Sequence, residues 1–376
     1  MSALALPREV SEAAADLWNP LVSEAISSGA KAIGTHCAYV PDPLLSVEGL
    51  FPLRLRASGA GGTALADTYL GSVLCSYSRT LLEAALDGRF DFLGGWVFAS
   101  SCDHSRRLGD NLLYLRPPTF SHLLDLPHRA DEAAVRWFEG ELGRLARALS
   151  EGFGVDTGPR AIGAAIAREN RHRALLGAIG ALRALESPPL TGAFFHSLVV
   201  ASRSAPRASL TKALEGIRDA LLGSEPVRGV RARILLVGSE LCDPAWIRVL
   251  ESQGALVVGD RFCSGSMYGV EPIPETSDPL RALAEHQLRR TRCPRMMEDF
   301  GARLGDLLGL AKSLRADGVV IQTLKFCDLW GVESGLLART LREAGVPVLR
   351  LEREHDLTGE GQLRTRIQAF LESMGR

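Results

Sequence analysis

The sequence predicts an α/β protein: two open parallel-sheet domains of the Rossmann/flavodoxin-like type, one at each end of the chain, joined by a helical section. Three observations carry this. Short apolar runs bounded by Gly, Pro or Ser alternate with longer amphipathic stretches, the pattern of βα units that feed a parallel sheet. The chain has 376 residues, more than one core usually serves. Its middle lacks such runs and instead carries apolar residues at three- and four-residue spacing, as a helix face requires.

In chain order, the first third predicts strands at AKAIGTHC (30–37), PLRLRA (52–57), LGGWVFAS (93–100) and NLLYLR (111–116). Three helical stretches follow: DEAAVRWFEGELGRLARALSE, RAIGAAIARENRHRALLGAIGALRALE and SLTKALEGIRDALLG. Ser-Pro-Pro at 187–189 and Ser-Glu-Pro at 224–226 interrupt the helical pattern and suit connections. The last third predicts strands at ARILLVGS (232–239), GALVVGD (254–260), DGVVIQTL (317–324) and VPVLRLE (346–352). The expected division is an N-terminal α/β domain over 1–130, a helical connecting section over 131–228 and a C-terminal α/β domain over 229–376. The two sheets repeat an architecture without a line-by-line sequence repeat.

Charge and composition remove several functions. A formal net charge of −1 leaves no global basic field for a phosphate backbone, so nucleic acid is not an expected partner. No run of about 18 apolar residues exists to span a membrane. MSALALPREVSEAAADLWNP has no charged region ahead of an apolar core, so the expected location is cytoplasmic. In a reducing compartment the seven cysteines, an odd number, are not expected to form disulfides. They stand at 37, 75, 102, 242, 263, 293 and 327 without a CxxC pair, which argues against a closed structural zinc site.

Three of them share one context. Cys37 ends KAIGTHC, Cys102 ends WVFASSC and Cys327 ends VVIQTLKFC, each just past the C-terminal end of an expected buried strand. Ligands of open α/β sheets bind at that edge. Glu333 is expected in the first turn of the helix after Cys327, with Gly345 and Pro347 closing it, so the positive end of the helix dipole faces the thiol. Thiolates, or an anionic iron–sulfur centre, are favoured there. Three thiolates without a fourth suit an iron–sulfur cluster with one open iron, able to act as a Lewis acid on a substrate oxygen. The plain alternative is packing, because free cysteine is among the most buried residue types. Cys75 reads as a core position of a helix, Cys242 and Cys293 as loop or helix-start residues without a partner, and Cys263 as a rival ligand that also follows a strand.

GTHCAYVPDPLLSVEGLFPLRL resembles the N-terminal signature of the 2-hydroxyacyl-CoA dehydratase and benzoyl-CoA reductase family. The resemblance continues through LCSYSRTLLEAALDG, SSCDHSRRLGDN, RILLVGSE with GALVVGDRFCSGS, KFCDLWGVESGLLARTLREAGVPVLRLEREHD and GQLRTRIQAFLES. It covers nearly the whole chain and is weakest over 131–225. It implies an enzyme subunit with one 4Fe-4S cluster, one iron of which no cysteine holds, on Cys37, Cys102 and Cys327, with Cys75 or Cys263 the rivals. It implies a paralogous iron–sulfur subunit as partner, a homodimer being the alternative, and an acyl-CoA substrate. It also implies a separate ATP-dependent activator, consistent with the absence of GxxxxGK[ST] here.

The implied chemistry is low-potential single-electron transfer. One electron on the thioester gives a ketyl radical anion that expels the 2-hydroxyl and acidifies an otherwise inert β hydrogen. Dehydration of a 2-hydroxyacyl-CoA is the leading expectation; aryl-CoA reduction and a non-catalytic electron relay are the alternatives. His36, Ser101, Asp103, His104 and Glu333 are candidate polar neighbours of the reaction, with turn, cap and dipole roles as their structural alternatives. Arg106 and Arg107 either meet coenzyme A phosphates or form a solvated pair. The family's common variant has an aromatic residue where this chain has His36. Adjacent cysteine pairs, the mark of relatives with a double-cubane cluster, do not occur.

Overall fold

A computed structural model describes residues 4–57, 59, 61–290 and 293–376. Strands β1 (Lys31–Thr35), β2 (Leu50–Arg54), β3 (Gly95–Ala99) and β4 (Ser121–Leu124) form one sheet in the order β2-β1-β3-β4. Strands β5 (Ala232–Gly238), β6 (Ala255–Arg261), β7 (Gly318–Leu324) and β8 (Val348–Arg353) form a second in the order β6-β5-β7-β8. Every pairing is parallel. The two orders are the same permutation, so the α/β expectation of two parallel sheets holds and the architecture repeats.

The inner strands of both sheets are apolar along most of their length because helices cover both faces. All five residues of β3 and all seven of β7 are buried. One face of the first sheet packs Ile33, Val97 and Leu124 against Val135, Phe138 and Leu142 of the helix Glu132–Phe153. The other packs Leu53, Trp96 and Phe98 against Leu81 and Leu108 of the helices Ser76–Leu86 and Asp103–Leu115. The second sheet is covered likewise, with Ile234 and Leu236 toward Ile367 and Leu371, and Leu235 and Ile321 toward Leu337 and Leu341.

Seven of the eight expected strands are present, within a few residues of their expected ends. The eighth differs. NLLYLR at 111–116 is no strand but the end of the helix Asp103–Leu115, whose buried residues Ser105, Leu108, Gly109 and Leu112 recur at helical spacing. Cys102 opens that helix, its Sγ 3.4 Å from the Ser105 N–H that it accepts. The fourth strand is SHLL at 121–124, an edge strand with Leu124 alone buried, too short and exposed to show in the apolar pattern. All three expected helices form, as Glu132–Phe153, Pro159–Ala181 and Arg207–Leu222. A further helix, Gly192–Ser202, is buried on every side, so no amphipathic stripe announces it.

In each sheet the chain leaves the first strand in one direction and returns to its other side, which makes β1/β3 and β5/β7 switch points. Crevices open at the C-terminal ends of such strand pairs.

Candidate functional site

Both switch points face one cavity. Cys37 follows β1, Cys102 follows β3 and Cys327 follows β7, and all three line a cavity of about 100 Å³. That space takes a compact group buried among the thiols. The three thiols expected together are thus together. Three more join them: Cys75, Cys263 and Cys293 line the same cavity. Cys75 is not inside a helix but at its start, preceding Ser76–Leu86. Cys293 has a partner after all, its Sγ accepting from Arg295 Nε at 3.5 Å.

Two guanidinium groups stand beside the thiols, and sequence reasoning missed both. Arg54, at the end of β2, donates through Nη2 to Cys263 Sγ at 3.4 Å, and Arg295 lies over the Tyr39 ring. Among the described residues, Arg54 Nε and Nη1 and Arg295 Nη1 are buried donors without a partner. Leaving charged donors buried and unpaired is costly, so this lining suits an anionic occupant. The guanidinium groups already act on the thiols. Burial alone would push Cys37 up, but Arg295 and Arg54, helped by hydrogen bonds from Ser101 and Tyr39, bring it below its ordinary value. Burial pushes Cys75 up to about 12 and, against Arg54, Cys263 up to about 12. Cys327 is also raised by burial, with a hydrogen bond from Ser239 in partial opposition. Of these four, Cys37 is the readiest thiolate.

The expected polar neighbours divide. His36 Nε2 lies 2.7 Å from Ser105 Oγ, and Ser101 Oγ donates to Ser105 Oγ at 3.1 Å, so both sit in a buried chain behind Cys102. Burial, then Arg54 and Arg295, lower His36 to about 3, so it is a neutral imidazole near pH 7. His104 accepts from the Cys75 N–H through Nδ1 at 3.2 Å and meets Asp328 at 3.3 Å, tying the Cys75 loop to the Cys327 helix. Asp103, Arg106 and Arg107 lie on the helix Asp103–Leu115, where Arg107 pairs with Asp103 and Asp110.

Glu333 departs from expectation. Asp328 is the acidic first-turn residue of the helix Asp328–Glu343, and Glu333 lies one turn further on. It does not line the cavity; its carboxylate accepts from Arg303 Nε at 2.8 Å. Arg303 in turn donates through Nη1 to the carbonyls of Cys293 at 3.3 Å and Met296 at 2.6 Å. Glu333 is a positioning residue for the segment that carries Cys293 and Arg295.

Residues 37–374 match the family model described as 2-hydroxyglutaryl-CoA dehydratase, D-component. The chain belongs to this family. The match spans nearly the full length, and individual relatives are subunits of acyl-CoA dehydratases and of a benzoyl-CoA reductase. The (R)-phenyllactyl-CoA dehydratase beta subunit of Clostridium sporogenes is 25% identical over 348 residues, covering 92% of both chains. A benzoyl-CoA reductase subunit of Thauera aromatica is 24% identical over 353 residues, covering 92% of this chain and 91% of that one. The (R)-2-hydroxyglutaryl-CoA dehydratase beta subunit of Acidaminococcus fermentans is 24% identical over 356 residues, covering 93% of both. The family is one of acyl-CoA dehydratase and reductase subunits, which makes this chain an enzyme component of that kind. Among the described residues no helix is long and apolar enough to cross a membrane.

Proposed function

We propose that this chain is the iron–sulfur subunit of an enzyme that acts on acyl-CoA thioesters by low-potential single-electron chemistry, dehydrating a 2-hydroxyacyl-CoA. The observation that carries the reading is the convergence of Cys37, Cys102 and Cys327 from three strand ends onto one cavity lined by unpaired guanidinium donors. Those three thiolates would hold a 4Fe-4S cluster with one iron free of cysteine, and the cluster when bound supplies single electrons at low potential. Arg54 and Arg295 balance its negative charge, Ser105 N–H fixes the Cys102 sulfur, and the buried walls exclude water. A paralogous iron–sulfur subunit and a separate ATP-dependent activator complete the enzyme in this reading.

The cavity volume favours one refinement. With its small cavity buried among the thiols, this chain serves as the relay that passes electrons to a substrate-binding partner. Aryl-CoA reduction draws support from the reductase relative and needs the same relay.

Iron and acid-labile sulfide on anaerobically purified protein test the proposal, with Cys102→Ser beside Cys75→Ser. Four irons per chain, lost in Cys102→Ser and kept in Cys75→Ser, is the expected result, on the order of the content of one cubane cluster. Wild type without iron after anaerobic reconstitution overturns the cluster. Iron lost only in Cys75→Ser reassigns the ligand. Added acyl-CoA ester should leave the cluster's EPR signal unchanged in the isolated relay chain.

A further inference from the structure

At the C-terminal edge of the second sheet stands a second group of metal-binding side chains. Glu240 and Cys242 follow β5, and His355 follows β8. A Glu240 carboxylate oxygen, the Cys242 sulfur and one ring nitrogen of His355 all lie within 4.8 Å of one another. His355 Nδ1 is 3.7 Å from Glu240 Oε2, and His355 Nε2 is 3.9 Å from Cys242 Sγ. The side chains of His355 and Glu240 are 2% and 6% exposed.

We propose that Glu240, Cys242 and His355 form a binding site for a zinc-like divalent transition-metal ion, at the edge of the thiol cavity that Glu240 also walls and with a fourth position left open. Thiolate, imidazole and carboxylate are the donors that borderline ions such as Zn²⁺ take, and three protein ligands leave one tetrahedral position for water or another ligand. Bond lengths of about 2.0–2.3 Å set tetrahedral donors about 3.3–3.6 Å apart. The two short contacts use opposite nitrogens of His355, so the ring turns to present one of them to the ion while the three donors, all within 4.8 Å of one another, draw in by up to about 1.5 Å.

The second observation concerns Glu240 and His355. Among the described residues, Glu240 Oε2 and His355 Nδ1 are both buried without a hydrogen bond. Three arginines act on Glu240: Arg54 does so from the wall of the shared cavity without forming an ion pair, and the other two are committed elsewhere. Arg353 donates to Gln322 Oε1 at 2.7 Å, to the Glu354 and His355 carbonyls at 2.9 and 3.3 Å, and to the Glu240 carbonyl. Arg56 donates to Ser204 Oγ and to the carbonyls of Ala13 and Ala15. Among the described residues the Glu240 carboxylate has no ion pair except the long one with His355. A buried carboxylate in that position needs a cation.

The scaffold is rigid, as a preorganised metal site requires. Arg353 bridges the backbones of Glu240 and His355. Ser264 Oγ accepts from Leu241 N–H at 3.0 Å, and Ser76 Oγ accepts from His355 N–H at 2.8 Å. An entry path exists, because Cys242 also walls a pocket of about 230 Å³ with Arg56, Asp243 and Arg248.

The test uses the full chain with its native metal complement, incubated anaerobically with Zn²⁺ and then freed of excess, with zinc and iron counted in the same samples. Wild type should hold about one zinc per chain. Cys242→Ser, His355→Ala and Glu240→Gln should each lose that zinc, and Cys242→Ser and His355→Ala should keep wild-type iron and a cooperative thermal melt. Cys102→Ser should keep the zinc. Co²⁺ in place of Zn²⁺ should give a thiolate charge-transfer band that Cys242→Ser abolishes. Wild type without zinc, or zinc retained in both Cys242→Ser and His355→Ala, overturns the proposal. Metal-free wild type whose Cys242 is alkylated quickly by iodoacetamide, but slowly in His355→Ala, overturns it in favour of a Cys-His-Glu nucleophile. If Cys242→Ser or His355→Ala fails to fold, Glu240→Gln and the cobalt spectrum of wild type decide: no thiolate band in wild type overturns the site. Because zinc and iron are counted separately, failure here and failure of the cluster reading look different.

Discussion

Single side chains in this protein are held far from their ordinary ionisation. His172, on the helix Pro159–Ala181, is buried with neither ring nitrogen hydrogen-bonded among the described residues, and burial, then Arg207, against the opposing pull of Glu169, lower it to about 4. Its folded value lies below the unfolded one, so the unfolded chain binds the extra proton as the pH falls. The stability that neutral His172 permits is therefore complete above about pH 6.5 and is lost on acidification toward pH 4. His172→Leu should flatten the dependence of the urea midpoint on pH across that window, by at most about 1.4 kcal/mol per pH unit. An unchanged slope would place the titration elsewhere. At pH 7 the same substitution should cost little, since it removes two unsatisfied polar atoms.

Among elements, the end of β5 is the most constrained. Gly238 has φ 139°, and a Cβ there would lie 1.7 Å from the Gln322 carbonyl oxygen of β7. No backbone oxygen can yield that far while β5 and β7 stay paired, and the two cavity walls Ser239 and Cys327 hang from these strand ends. Gly238→Ala should therefore destabilise the protein by more than about 4 kcal/mol, visible as a collapse of the thermal midpoint. Phe326, by contrast, holds φ 61° in the turn just before Cys327 with its ring half exposed. Relieving that conformation with glycine should leave stability unchanged or raised.

At the scale of the whole molecule, the cavity exists because the two sheets face each other across their carboxyl ends. Arg54 of the first sheet reaches Cys263 of the second, and Ser76 beside the first sheet holds the His355 backbone of the second. A buried arginine with two unpaired donors stabilises little by itself. Arg54→Met should leave the apoprotein's melting temperature unchanged or raised, yet speed the loss of iron to a chelator. A faster loss with a matching drop in apoprotein stability would mean that Arg54 is structural only.

The sequence by itself determined the two parallel sheets, because strands buried on both faces must be apolar throughout, and it placed Cys37, Cys102 and Cys327 at their ligand-binding edge. It determined the three amphipathic helices of the middle section by the spacing of their apolar faces. It could not show β4, whose single buried leucine leaves no pattern, or the helix Gly192–Ser202, whose burial on all sides erases the periodicity. Only the tertiary structure decided which distant groups meet. Arg54 and Arg295 look like ordinary surface cations until the sheets bring them to the thiols. Glu333 looks like a first-turn acid until Arg303 claims it, and 113 positions separate Cys242 from His355. Periodicity is a local property that a chain writes into its own sequence, whereas the meeting of side chains from different strand ends depends on how two sheets dock, and no local pattern encodes that.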